Sequence, residues 1–111
     1  MPRVEKHLPE VLSLEEIDAM IAQIDMSKPE GHRNRAIIEM LYGSGLRVSE
    51  LVNLRLSDIY RQEGFMRIIG KGSKQRLVPI SPVADQWLQY WLEDRSKLDI
   101  KPEYSDIVFL N

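Results

Sequence analysis

The sequence predicts an α+β domain, mainly helical, with a small three-stranded antiparallel sheet. Three observations predict it. Apolar residues recur at helical spacing up to Leu54, β-rich runs separated by glycine turns follow from Ile59 to Ile80, and helical spacing returns from Val83 to Leu92. The chain has 111 residues, 43% hydrophobic and 29% charged, which suits one modest core and is too apolar for disorder. No apolar run approaches the roughly 20 residues of a membrane-spanning helix, and no apolar stretch behind Met1-Pro2-Arg3 makes a signal peptide. With no cysteine, disulfides and thiolate metal sites are excluded and a cytoplasmic location is expected. His7 and His32 lack metal-ligand spacing, so neither a metal nor another cofactor is expected.

Residues 1–12 read as an extended linker, because Pro2 and Pro9 oppose a helix. Ser13-Leu14-Glu15-Glu16 fits a capping box, with Leu12 and Ile17 as the hydrophobic staple. Leu14, Ile17, Met20, Ile21 and Ile24 carry a first helix to about Asp25, and residues 27–31 form a loop. A second helix from His32 to Tyr42 buries Ala36, Ile37, Met40 and Leu41 and stops at Gly43 and Gly45. A third, Val48 to Leu54, restarts at once. Strands follow at Ile59-Tyr60, Phe65–Ile69 and Arg76–Ile80, the last at an edge because Pro79 donates nothing to a ladder. Ser81-Pro82 caps a fourth helix with Val83, Trp87, Leu88, Trp91 and Leu92 on its apolar face, running to about Lys97. Tyr104 to Leu110 is apolar without a turn or cap signal.

Two stretches carry chemistry. In Gly43-Ser44-Gly45-Leu46-Arg47, a cation stands at a helix start, where backbone N–H groups already favour an anion. That placement opposes helix stability and hints at a phosphate ligand for the arginine fork. Glu50, three residues on, shares its face, and on the residues alone a simple Arg47–Glu50 pair is the slightly better explanation. In Gly70-Lys71-Gly72-Ser73-Lys74, a lysine between glycines is free to reach across a groove or to serve as a solubilising turn. A P-loop is excluded by the glycine spacing and by Gly72 standing where Ser or Thr is required. The net charge of −2 opposes nucleic-acid binding, yet Arg61, Arg67, Lys71, Lys74 and Arg76 face only Glu63 within residues 61–76.

Together, Gly45-Leu46-Arg47 with Ser49-Glu50-Leu51, then Asp58-Ile59, then the Gly-Lys-Gly hairpin ending Arg76-Leu77-Val78-Pro79, resemble the tyrosine recombinase (phage integrase) family, nearest its bacterial Xer branch. The resemblance covers nearly the whole chain and implies that residues 13–111 are the amino-terminal half of a catalytic domain. It implies that Arg47 binds the scissile phosphate, that Glu50 supports it, and that Lys71 protonates the leaving 5′ oxygen. Lys74 and Arg76 would contact DNA. The implied parent cuts and rejoins strands through a 3′-phosphotyrosine, without metal or nucleotide, as a tetramer on double-stranded DNA. Tyr42, Tyr60, Tyr90 and Tyr104 do not match the family's nucleophile, so the chain is expected to be a fragment, inactive alone, with the Trp87–Trp91 stripe incompletely buried and prone to self-association. A non-catalytic DNA-binding module using the basic hairpin is the alternative, and a protein-interaction domain built on the tryptophan helix is a further one.

Overall fold

The computed structural model describes residues 9–22 and 31–110. Helix α1 spans Leu14–Ala22 and begins with the expected reciprocal cap. The Glu16 amide donates to Ser13 Oγ at 3.1 Å and the Ser13 amide to Glu16 Oε1 at 2.9 Å. Leu12 and Ile17 are both buried, as a staple requires, whereas Leu14 points outward. The expected continuation to Asp25 and the loop at residues 27–30 lie outside the described residues. Helix α2, Gly31–Ile38, does not run on as an α-helix to Tyr42: its last turn, Glu39–Gly43, is π-helical. The Ser44 amide there donates to the Glu39 carbonyl at 3.0 Å. Gly43 suits this widened turn, since a Cβ there would stand 3.2 Å from Glu39 Oε1. Gly45 then reverses the chain in the left-handed region at φ +72°.

Helix α3, Val48–Val52, is two residues shorter than the spacing predicts. Strands β1 (Ile59–Tyr60), β2 (Phe65–Ile69) and β3 (Gln75–Pro79) pair antiparallel in that order. Met66 lies opposite Val78 and Ile68 opposite Arg76. Alternation puts Met66, Ile68 and Val78 in the core, while Ile69 and Leu77 face outward. β3 is indeed an edge strand, with Pro79 as its last residue. Helix α4, Pro82–Arg95, starts on the expected Ser81 cap, whose Oγ accepts the Ala84 amide at 3.1 Å. Its buried row is Ala84, Leu88, Trp91 and Arg95, and Val83 is exposed.

The tail corrects the expectation of an incompletely buried tryptophan stripe at Trp91, while Trp87 is partly buried. Val108, Phe109 and Leu110 are fully buried, and the Trp91 indole N–H donates to the Val108 carbonyl at 2.8 Å. Trp91 is only 6% exposed, and Trp87 packs against the core beneath the Arg35 guanidinium, 5.0 Å from its ring. After a 3₁₀ turn at Pro102–Tyr104 the tail is held by isolated bridges. Ile107 bridges Arg55, Leu110 bridges Val11, and the Val108 amide donates to the Leu54 carbonyl at 3.0 Å. Arg95 completes the clamp by donating to the carbonyls of Ser105 and Ile107.

Candidate functional site

Arg47 occupies the N-cap position of α3 in an extended conformation, with its side chain exposed. One turn further, Glu50 points inward and is buried. Its Oε1 accepts the backbone N–H of Arg47 at 2.9 Å. Its main partner comes from elsewhere in the chain, because Arg76 of β3 grips both carboxylate oxygens, with Nη2 3.0 Å from Oε1 and Nη1 on Oε2. The Arg76 hydrogen bonds hold the Glu50 carboxyl below the usual carboxylate range, against burial, with help from the Arg47 amide and the two nearby guanidinium charges. The acid that the sequence sets beside Arg47 therefore touches its backbone and feels its charge. Its bidentate salt bridge is made with Arg76.

The hairpin root adjoins the same carboxylate. A Cβ on Gly70 would stand 3.7 Å from Glu50 Oε2, and the Gly70 amide closes the hairpin on the Lys74 carbonyl at 2.7 Å. Beyond it, Lys71–Ser73 form a 3₁₀ turn in which Gly72 and Ser73 both have positive φ, at +74° and +61°. Lys71 and Lys74 are exposed. The Glu50 carboxylate thus touches the Arg47 amide and lies beside Gly70, the residue that precedes Lys71.

Counting charge along residues 61–76 misses partners from outside that stretch. Arg61 pairs with Asp85 through Nε at 2.7 Å, Arg67 with the buried Asp58 through Nη2 at 2.7 Å, and Arg76 with Glu50. Among the described residues, Arg47, Lys71 and Lys74 have no ion pair. The field is therefore concentrated at the hairpin tip and the α3 turn rather than spread along the sheet. A cleft of about 260 Å³ beside Glu50, bounded by Asn53, Arg55, Asp58 and Arg67, extends this polar surface. Among the described residues no cluster of His, Asp and Glu is arranged to hold a metal.

The Asp58–Arg67 pair and the Arg76–Glu50 grip escaped the reading of the sequence. One signal for the second was available: in a period-2 strand, Arg76 shares the face of the buried Val78, which sets it on the side of the sheet that meets α3.

The chain is similar to the tyrosine recombinase XerD of Lacticaseibacillus casei, 46% identical over 110 residues, covering 99% of this chain and 38% of that protein. It is 40% identical to the tyrosine recombinase XerD of Listeria innocua, covering 99% of this chain and 37% of that protein. The crystal structure of XerA recombinase superimposes with a TM-score of 0.64 at 31% identity, over 97% of this chain and 36% of that one. The chain thus spans little more than a third of the length of these relatives. With the phage integrase family matched over residues 10–111, from the segment preceding α1 through the buried tail, the chain belongs to that family.

Proposed function

We propose that this chain is the amino-terminal part of the catalytic domain of a site-specific DNA recombinase. The observation that carries the reading is the buried Glu50 carboxylate, which joins the turn bearing Arg47 to the root of the hairpin bearing Lys71. In this reading the Arg47 fork binds the non-bridging oxygens of the scissile phosphate and offsets the charge that grows there as a tyrosine oxygen, its proton lost to solvent, attacks phosphorus. The bond from phosphorus to the 5′ oxygen breaks, and Lys71 gives that oxygen its proton, leaving a 3′-phosphotyrosine. Lys74, exposed and without an ion pair beside Lys71, meets the DNA backbone, while Arg76, expected to join it there, is engaged by Glu50. The reaction needs no cofactor, and the parent works in the cytoplasm as a tetramer on double-stranded DNA. None of Tyr42, Tyr60, Tyr90 and Tyr104 matches the family's nucleophile, so the chain alone should not cut DNA.

The test is strand cleavage by a recombinase carrying this chain, either its own longer reading frame or the L. casei relative with the matching segment exchanged. Lys71→Ala should slow cleavage by roughly 10²–10⁴-fold, and Arg47→Ala by about 10²–10³-fold, with DNA still bound. Replacing the 5′ bridging oxygen by sulfur, a leaving group that needs no proton, should restore the Lys71→Ala enzyme but not Arg47→Ala. Variants that only weaken binding, in a salt-dependent way, would instead make the chain a DNA-binding module.

A further inference from the structure

We propose that Arg76 is a positioning residue: by gripping Glu50 it fixes the hairpin that carries Lys71 against the turn that carries Arg47. The consequence for catalysis rests on the function proposed above; the tie itself does not. Three observations converge on it. Arg76 lies opposite Ile68, on the sheet face that buries Ile68 and Val78, so its guanidinium is directed toward α3. Both oxygens of Glu50 are taken by Arg76, and the remaining hydrogen bond to that carboxylate comes from the Arg47 amide. The tip beyond Gly70 is exposed from Lys71 to Lys74 and turns through two left-handed residues, so its placement depends on its root.

A planar fork that closes on both oxygens sets an orientation as well as a distance, which a lysine ammonium does not. Loss of the grip would leave Glu50 buried with a single N–H donor, and the hairpin would be free to swing away from α3. Gly70 contributes from the other side, because it leaves the carboxylate room to lie against the hairpin backbone.

The deciding experiment is backbone ¹⁵N relaxation on the 111-residue chain with Arg76→Gln, Arg76→Lys and Glu50→Gln. Loss of the tie should lower the order parameters from Gly70 to Lys74 and move the Arg47 amide resonance. Lys and Gln at position 76 should behave alike, and the Arg76→Gln/Glu50→Gln double variant should be no looser than either single one. Arg76 is half-exposed at 47%, so its variants report even where Glu50→Gln fails to fold. An Arg76→Gln chain with an ordered tip and an unmoved Arg47 amide overturns the proposal.

Duplex DNA titrated against salt separates positioning from direct contact. A phosphate-contacting Arg76 would lose about one unit of salt slope in the Gln variant and regain it in the Lys variant. The tie predicts an unchanged slope in both. In a recombinase carrying this chain, both variants should cleave on the order of 10- to 100-fold more slowly with substrate affinity held. Lys71→Ala serves as the control: normal cleavage there would refute the catalytic reading, while the relaxation data still decide the tie.

Discussion

Glu50 shows how one side chain is fixed by groups far apart in sequence. It is buried, its carboxyl is held low by the Arg76 hydrogen bonds, and the unfolded chain offers no such partner. A carboxyl with a depressed folded-state value adds stability above its unfolded value and loses it as pH falls through the folded one. The advantage of wild type over Glu50→Gln should therefore be complete above about pH 4.3 and shrink steadily below it. Urea unfolding of both proteins at a series of pH values checks this, and a gap that widens in acid would contradict it. Arg33 illustrates the opposite case, because burial lowers its value although Glu16 opposes the shift. Its Nη1 donates to the Leu110 carbonyl at 3.1 Å, so a partly buried cation also tethers the tail.

At the scale of elements, capping should be measurable residue by residue. Ser81→Ala removes the acceptor of the Ala84 amide and should cost about 1 kcal/mol, with Ser81→Gly costing only a few tenths. Thermal or urea unfolding gives both numbers, and equal losses would mean the side chain is not the cap. Gly72 holds a left-handed conformation with open space where a Cβ would go. Gly72→Ala should therefore destabilise through backbone strain alone, by about 1–2 kcal/mol. Much at this scale was legible in the sequence, because caps, glycine stops and strand alternation act through near neighbours. The π-helical turn was not, since 3.6-residue periodicity over His32 to Tyr42 is the same whether the last turn is α or π. The pairing of Glu50 was half legible. Its spacing places it at Arg47, but the stronger partner lies 26 residues away and is set by the sheet register.

For the whole molecule, the three fully buried residues of the tail close the core, and Phe109→Ala should cost roughly 3–5 kcal/mol. Trp91→Phe keeps most of the packing but leaves the Val108 carbonyl without its donor, at a cost of about 1–3 kcal/mol. Denaturant midpoints rank the two, and a Phe109→Ala loss below that of Trp91→Phe would show that the tail is held chiefly by its hydrogen bond. The sequence gives no period for this segment, because an extended run buried on all sides has none. The resemblance sets the partners of the tryptophan stripe in the remainder of a catalytic domain, whereas the structure covers Trp91 with this chain's own tail.

The pairing of Val11 with Leu110 sets an order of events during synthesis. Translation proceeds at about 5–20 residues per second, so α1 and its flanking segment spend seconds outside the ribosome before their partner strand emerges. The hairpin rests on short-range pairing and can form as it appears, whereas α2 must wait for α4 to pack against it and the last closure waits for residues 108–110. Nascent chains arrested a few codons short of that release should be cut readily by protease, and chains arrested just beyond it should resist.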